Sequence, residues 1–392
     1  MKIIQGTYGI PVKLWTEDIE QSAYEQIVRI SKLPFAFHHI AIMADCHSGF
    51  GMPIGGVLAA DATIIPNAVG VDIGCGMCAV RSSALASDLT ISTIKKLVLE
   101  VKRQIPLGFE HHKHPQHALL MPNMERIDGI KDAVIKTEYA SALRQLGTLG
   151  GGNHFIEFQK DTDGFLWIMV HSGSRNLGKK VADCYNQKAR RINEKEHSIV
   201  PLKWDLAHLH FDSKEGQNYF NEMKYCVDFA LANRKLMMDR IMSILALEIK
   251  QISFGEIINI AHNYASIENH FGKDVIVHRK GATLASMETV GIIPGSQGSK
   301  SYIIKGLGNP ESFMSCSHGA GRMMSRNEAK RRLNLKEEIN RLEKQGIVHS
   351  IKGVRDLDEA PSAYKNIETV MELQMDLISI IKELAPIAVI KG

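Results

Sequence analysis

The sequence lacks several features that would assign it to a common class directly. No apolar run approaches the roughly 18 residues that a membrane-spanning helix needs, and segment 1–6 turns polar without the apolar core of a signal peptide. Only six cysteines occur in 392 residues, which argues against a disulfide framework. We therefore expect a cytoplasmic protein with reduced thiols and no membrane association.

Two nucleotide-binding fingerprints are also missing. The sequence contains no Gly-x-x-x-x-Gly-Lys-Ser/Thr run and no Gly-x-Gly-x-x-Gly run, which argues against a P-loop and against dinucleotide redox chemistry. The net charge is only +4, from 47 Lys and Arg against 43 Asp and Glu. This near balance of charges does not indicate a broad basic surface that binds nucleic acid, but it leaves room for a local basic channel.

The hydrophobic pattern predicts an α+β fold, in a single domain over residues 1–392 with mixed β-sheets packed by helices. Hydrophobic residues make up 44% of the chain, enough for a large core. Apolar residues recur at helical spacing in 16–33, 89–104, 131–145, 176–196, 215–250, 325–344 and 361–384. Short runs typical of strands are 38–44, 57–65, 78–82, 165–170 and 388–392.

Glycines cluster beside residues that can carry chemistry. The clusters are 49–56, 70–76, 147–152, 291–298 and 319–321. Glycine lets the backbone approach a ligand closely, so five such loops suggest one extended site for a polyanion or a nucleotide. Each loop taken alone is better explained as a tight turn.

One of these loops holds candidate metal ligands. Asp72 and Cys75 lie three residues apart, so a carboxylate oxygen and a bridging thiolate could face the same ions. Cys78 completes a Cys-x-x-Cys, but no second one exists, which argues against a closed four-sulfur zinc site. An open site would need histidines.

Three histidines lie where a buried run meets a turn, namely His154, His171 and His262. Each imidazole could be fixed there with a lone pair facing a cavity, although each is also explained as a hydrogen-bonded structural residue. His318 differs because small residues surround it and Arg322 and Arg326 follow. That setting suits a nucleophile facing phosphate, with a turn histidine as the alternative.

Other positions offer phosphate contacts. They are Arg175, the segment 278–281 that contains Lys280, Lys391, and the segment 294–299 with its backbone N–H groups and hydroxyls. The histidines of the polar loop 111–117 are expected to be solvated.

Taken together, these motifs resemble the RtcB family of GTP-dependent RNA ligases. The matching segments follow family order along nearly the whole chain, as 45–49 (DCHSG), 70–77 (GVDIGCGM), 150–157 (GGGNHFIE), 171–178 (HSGSRNLG), 261–264 (AHNY), 279–282 (RKGA), 294–299 (PGSQGS), 315–322 (SCSHGAGR) and the terminal Lys391-Gly392. The resemblance implies an enzyme that joins 2′,3′-cyclic-phosphate or 3′-phosphate RNA ends to 5′-hydroxyl ends. The physiological task would be tRNA splicing or RNA repair, with an Archease-like activating partner as one possibility.

The resemblance also implies roles for individual residues. Two manganese ions would be held by Asp72, Cys75 and His154 and by Cys75, His171 and His262, with Cys75 bridging. His318 would take GMP from GTP. The catalytic set further includes Asn153, Arg175, Lys280, Arg322 and Arg326, of which the four cations would hold the RNA phosphates or the transferring group. The nucleotide would contact Asn153, His154, Phe155, Ile156, Glu157, His262, Asn263, Pro294, Gly295, Ser296, Gln297, Ser301, His318, Gly319, Ala320, Gly321, Tyr364 and Lys391, with Glu157 accepting from the guanine N1 and N2 donors.

Two alternative functions remain open, and the sequence departs from the family pattern at two places. A dinuclear metallophosphoesterase would use the same ligand types, and a noncatalytic RNA-binding protein would need only a basic surface. Gln297 and the segment 46–48 depart from the usual family pattern. These departures leave the implied metal and nucleophile positions intact but leave the choice of substrate open.

Overall fold

The computed structural model describes residues 1–4 and 9–392, so Gln5 and Gly6 of the N-terminal segment lie outside the described residues. The helices are α1 (Gln21–Ser31), α2 (Pro66–Val69), α3 (Ile91–Gln104), α4 (Glu125–Asp128), α5 (Val134–Gln145), α6 (Arg175–Lys195), α7 (Lys214–Glu248), α8 (Arg326–Arg332), α9 (Leu335–Lys344) and α10 (Ile367–Glu372). The strands are β1 (Lys2–Ile4), β2 (Val12–Leu14), β3 (Ala36–His47), β4 (Ile54–Ala60), β5 (Thr63–Ile64), β6 (Gly76–Leu85), β7 (Phe155–Asp161), β8 (Phe165–Ser172), β9 (Leu209–His210), β10 (Ile258–Ala261), β11 (Asn263–His270), β12 (Lys273–Lys280), β13 (Ala282–Leu284), β14 (Val290–Ile293), β15 (Ser301–Gly306), β16 (Ser315–Ser317) and β17 (Ile378–Lys391).

Two large sheets carry most of the strands. The first has the order β1-β2-β3-β4-β12-β11, and the second has the order β10-β6-β8-β7-β17-β15-β14. Only β2 and β3 run parallel; the other pairs in the two large sheets, and the small pairs β13-β16 and β5-β9, are antiparallel. The predicted α+β class with mixed sheets is therefore confirmed.

The core forms where apolar runs of the second sheet meet the long helix α7. Strand β8 is buried along nearly its whole length, as its continuous apolar run predicts for a central strand. Met237, Met238 and Ile241 of α7 pack in one cluster with Val80 of β6 and Val170 of β8. Helix α7 therefore packs against the two strands, β6 and β8, that have motif residues at their ends.

Two predicted helices are wrong or incomplete. Residues 325–344 are helical, but Asn334 interrupts them, because its side chain accepts from the N–H groups of Lys336 and Glu337 and so starts α9 anew. Residues 361–384 are not one helix, since α10 is short and β17 begins at Ile378. Strand β17 pairs with β15 and β7, and these cross-strand hydrogen bonds override its helix-like spacing.

Within residues 1–4 and 9–392, no helix combines the length and the apolar character that crossing a bilayer requires. All six cysteines are free thiols, as predicted.

Candidate active site

The strand order of the second sheet gathers residues that are far apart in the sequence. Asp72 and Cys75 lie in the turn before β6, and His171 lies near the end of the neighbouring strand β8. His154 directly precedes β7, which pairs with β8 on its other side. His262 lies between β10 and β11, where the chain passes from the second sheet to the first. Four separate segments therefore end at one place.

These side chains form two groups of possible metal ligands that share Cys75. In each group, Asp72, Cys75 and His154 or Cys75, His171 and His262, the ligand atoms lie within 4.8 Å of one another. The Cys75 Sγ atom is 3.4 Å from His154 Nε2 and 3.2 Å from His171 Nε2. The carboxylate of Asp72 lies 3.0 Å from His154 Nε2. One sulfur, one carboxylate and three imidazoles suit a pair of divalent transition-metal ions.

The neighbours of His171 favour metal binding through Nε2. His171 Nδ1 is 3.1 Å from the Asn153 carbonyl, which only accepts, so Nδ1–H donates and the Nε2 lone pair stays free. His154 Nδ1 is 3.0 Å from the Leu149 carbonyl, and its Nε2 faces Cys75 and Asp72. His262 Nδ1 is buried and has no hydrogen-bond partner among the described residues, as expected for a nitrogen reserved for a ligand.

Electrostatics keep the Asp72 carboxylate charged and the imidazoles of His171 and His262 neutral. Burial alone would raise the pKa of Asp72, but His154 and Arg175 together lower it to about 2. Burial lowers the pKa of His171 and His262 well below the usual range, so both rings are neutral near pH 7. Burial and Asp72 raise the pKa of the Cys75 thiol, so it loses its proton only when a cation compensates the charge.

His318 directly follows β16 of the small β13-β16 sheet and faces this cluster. Its ring centroid lies 4.7 Å from that of His262. The carboxylate of Asp45, a fully buried residue of β3, accepts from His318 Nδ1–H at 2.7 Å and from the backbone N–H groups of His318 and Gly319. The ring is thus fixed with Nε2 left free. Gly281 has a positive φ, and a Cβ there would lie 2.9 Å from His318 Cε1, so only glycine leaves the ring its space.

A cavity of about 510 Å³ opens beside His318. Its volume lies within the range typical of small-molecule sites. Its walls include thirteen of the residues that the resemblance implied for the nucleotide: Asn153, Phe155, Glu157, Pro294, Gly295, Ser296, Gln297, His318, Gly319, Ala320, Gly321, Tyr364 and Lys391. Arg322 and Arg326 also line it.

A buried carboxylate organises the basic wall of the cavity. Glu359 Oε1 accepts from Arg322 Nη1 at 3.1 Å and from Arg326 Nε at 2.9 Å. Its Oε2 accepts from the Tyr364 hydroxyl and lies 3.8 Å from Lys391 Nζ. Burial alone would raise the pKa of Glu359, but the three cations and the hydroxyl lower it to about 2. Both arginines therefore already hold an anion of the protein.

The cavity lining holds a second acid in a different state. Glu157 is 3% exposed, and burial raises its pKa to about 8, although Gln159 and Lys391 act against this. Gln159 Nε2 donates to Glu157 Oε2 at 2.6 Å. Burial thus favours the protonated, neutral form of Glu157 near pH 7.

Several residues implied by the resemblance lie outside the cavity wall. Strand alternation turns the Ile156 side chain into the core, away from Phe155 and Glu157. Ser301 Oγ accepts from the Gly295 N–H at 3.1 Å and so supports the wall from behind. Asn263 lies behind the metal ligands, where its side-chain amide donates to the Asp72 carbonyl at 3.1 Å.

Two of the cationic side chains that the resemblance implied for phosphate binding, Lys280 and Arg175, do not line the cavity. Lys280 is buried and donates to the carbonyls of Phe50 and Asn67 at 2.5 and 2.9 Å, which turns its ammonium away from the cavity. Burial lowers the pKa of Lys280 to about 7. The Arg175 guanidinium lies 3.1 Å from His154 Nδ1, beside the metal ligands.

The sequence motifs did not indicate the roles of two important residues, Asp45 and Glu359. Asp45 begins the motif at 45–49, but nothing local indicates that its carboxylate reaches residue 318. Glu359 lies in a short 3₁₀ segment, Val354–Glu359, without any motif. The histidines at 111–117 were expected in solvent, yet His112 is half-buried and lies 2.9 Å from Arg240 Nη1.

Comparison with known proteins settles the family. The model of the tRNA-splicing ligase RtcB family matches residues 26–392. This chain belongs to the RtcB family. It is 37% identical to the RNA-splicing ligase RtcB of Escherichia coli strain K12, with 98% of both chains covered. It is also 32% identical to the tRNA-splicing ligase RtcB of Nanoarchaeum equitans, over 99% of this chain and 96% of that one.

The match to the RtcB family extends over every side chain of the site described above, from Asp45 to Lys391. The Thermococcus kodakarensis tRNA-splicing ligase RtcB is 31% identical over 94% of this chain. The resemblance that the motifs indicated is therefore confirmed.

Proposed function

We propose that this protein is an RNA ligase that joins 3′-phosphate or 2′,3′-cyclic-phosphate ends to 5′-hydroxyl ends, with GTP as co-substrate and manganese as cofactor. The observation that carries the proposal is His318, which lines a nucleotide-sized cavity and lies 4.7 Å, ring to ring, from His262 of the possible metal ligands. A hydrolase would need no such fixed fourth imidazole.

The donor set supports a pair of manganese ions. Asp72, Cys75 and His154 would hold one ion and Cys75, His171 and His262 the other, since the unpartnered His262 Nδ1 and the free Nε2 lone pair of His171 suit cations. Bound there, divalent cations would neutralise phosphate charge. Cys75 would bridge as the thiolate.

His318 would act as the nucleophile. The Asp45 carboxylate accepts a hydrogen bond from His318 Nδ1–H, so the Nε2 lone pair would be free to attack the α-phosphorus of GTP. The bond to the bridging oxygen breaks, pyrophosphate leaves, and GMP stays on the ring. The RNA 3′-phosphate then takes GMP from His318, and the 5′-hydroxyl attacks the activated end and releases GMP.

The cavity walls supply positions for the rest of the nucleotide. Glu157 would accept from the guanine N1 and N2 donors, while Phe155 and Tyr364 offer apolar faces and Lys391 a cation. Backbone N–H groups of Gln297, Ala320 and Gly321, with Asn153 and Ser296, would complete the contacts. Ser301 and Asn263 would act by supporting this wall, and His154 and His262 through the metal centre.

The cations around His318 would serve the RNA. Arg322 and Arg326 would hold RNA phosphates or the transferring group at the cavity mouth, with Glu359 fixing both until the substrate arrives, whereas Arg175 would act beside the metal ligands. Lys280 would position the neighbouring turn at Gly281. Because strands of both large sheets supply the site, residues 1–392 would form a single ligase domain. This domain would act in the cytoplasm. Its task would be tRNA splicing or RNA repair, and an Archease-like activator is a candidate partner.

Labelling with GTP tests the proposal. Incubation with manganese and α-labelled GTP is expected to give an acid-labile protein adduct, which His318→Ala abolishes. Asp45→Asn is expected to slow adduct formation, because the amide is a weaker acceptor for the ring N–H. The exposed His197 is the matched control, and His197→Ala should label like the parent.

The outcome also separates the alternatives. A metallated protein that hydrolyses phosphoesters without forming any adduct would be a metallophosphoesterase. A protein that binds RNA but neither labels nor joins ends would be a noncatalytic binder. Either result would overturn the ligase proposal.

A further inference from the structure

An aromatic side chain stands fully in solvent on the loop 106–117, next to the site. Phe109 is 101% exposed, the highest value among the large apolar side chains of the described residues. Single exposed apolar residues are common on protein surfaces, so exposure alone carries no conclusion. The loop that holds Phe109 supplies the further evidence.

The loop is fixed rather than merely unpacked. The Gly108 N–H donates to the Gly150 carbonyl at 3.0 Å, which ties the residue before Phe109 to the glycine-rich turn of the site. Farther along, Arg240 Nη2 donates to Gln116 Oε1 at 2.6 Å. The backbone on both sides of Phe109 is thus anchored, and the ring is held away from the surface.

The anchor places the ring close to the proposed phosphate contacts. A Cβ on Gly151 would lie 3.7 Å from Gly108 Cα, and one on Gly152 would lie 3.1 Å from the Arg326 guanidinium. Asn153, the next residue, lines the cavity. Consecutive Cα atoms are about 3.8 Å apart, so Phe109 lies within a few residue lengths of the cavity mouth.

The neighbours of Phe109 on the loop are exposed polar residues, among them His111, Lys113 and His114. An exposed ring near cationic side chains is how proteins bind single-stranded nucleic acid, because bases stack on the ring while cations, here Arg326, hold the phosphates. A protein partner would instead require an apolar patch around Phe109.

We propose that Phe109 is a stacking platform for a base near the reacting end of single-stranded RNA. This proposal rests on the RNA-ligase function, and it adds a contact outside the catalytic cavity. Phe109 touches neither the metal ligands nor His318, so it acts in RNA binding and not in the transfer of GMP.

Phe109→Ala tests the platform in the full-length protein. Affinity for a 3′-phosphorylated RNA oligonucleotide, measured by fluorescence anisotropy, should fall by about fivefold or more. Adduct formation with GTP should stay unchanged. Phe109→Trp should restore binding, and its fluorescence should change when RNA is added. Leu247→Ala, at an exposed apolar residue (88%) near the end of α7, is the matched control and should bind RNA like the parent.

Abasic nucleotides locate the stacked base. One abasic site at a time, at positions one to four from the 3′-phosphate, should weaken binding to the parent at a single position. Phe109→Ala should be insensitive at that position, which is the coupling expected of a direct contact.

Equal RNA affinity of parent and Phe109→Ala, or abasic effects that persist in the variant, would overturn the proposal. If the variant changed only the sedimentation of the protein, the ring would be a contact between copies, and the proposal would also fail. Failure of the ligase function is a separate result, because the parent would then form neither an adduct nor joined RNA.

Discussion

Replacing Glu359 by glutamine tests whether one buried carboxylate holds the basic wall of the cavity together. The carboxylate is 4% exposed and has Arg322, Arg326, Lys391 and the Tyr364 hydroxyl as partners. Glutamine keeps the shape but removes the charge, so three cations lose their common anion. Removing one partner of a buried ion pair typically costs about 3–5 kcal/mol.

The pKa gives an independent magnitude. Glu359 has a pKa of about 2, against the ordinary 4.5. Because the folded state lowers this pKa, the charge stabilises the fold fully above pH 4.5, and the contribution disappears as the pH falls toward 2. The difference corresponds to about 3 kcal/mol at pH 7 and about 1 kcal/mol at pH 3. Both routes therefore predict a loss of about 3 kcal/mol at neutral pH.

Urea denaturation of the parent and Glu359→Gln at pH 7, 5 and 3 measures this directly. The free energy of unfolding should differ by about 3 kcal/mol at pH 7 and 5, and the difference should narrow at pH 3. Glu383→Gln is the matched control, because Glu383 forms a partly exposed ion pair with Lys300 and its loss should matter far less. A variant as stable as the parent at pH 7, or a difference that does not narrow at pH 3, would refute the reasoning.

Two further predictions concern the nucleotide and the metals. Burial raises the pKa of Glu157 to about 8, so the affinity for a guanine nucleotide should increase as the pH rises through 8. Glu157→Gln should weaken binding about tenfold or more and remove this pH dependence, as calorimetry would measure. Equal binding at all pH values would contradict the role of the acid. Cys75→Ser should lower the metal content found by elemental analysis, since a hydroxyl is a poor bridging ligand, whereas Cys184→Ser, at a half-buried thiol without metal-type neighbours, should leave it unchanged. Full metal content in Cys75→Ser would exclude the bridging thiolate.

Much of the fold could be predicted where periodicity and packing agree. The long helix α7 and the buried strand β8 appear within two residues of the predicted bounds, because each has a strong apolar pattern and the same pattern is buried. Only the end of strand β17, within the predicted strand 388–392, could be predicted, because the isoleucines and leucine of 378–384 also fit helical spacing. The pairing of β17 with β7 and β15 decided its structure.

The same division holds for the site. The glycine-rich motifs marked Asp72, Cys75, His154, His171 and His262 as candidates from residue type alone. Their convergence depends on the strand order β10-β6-β8-β7, which no local segment encodes. Residue chemistry in short motifs is readable without a structure, whereas contacts between distant segments arise only from the pairing of strands.

The sequence by itself determined which groups could bind metals or phosphate, and it determined the family. Only the tertiary structure decided their partners. It joined Asp45 to His318 across 273 positions, paired Arg322 and Arg326 with Glu359, and turned Lys280 toward backbone carbonyls. Side-chain direction follows from strand alternation and from burial, and both are properties of the packed sheets rather than of any motif.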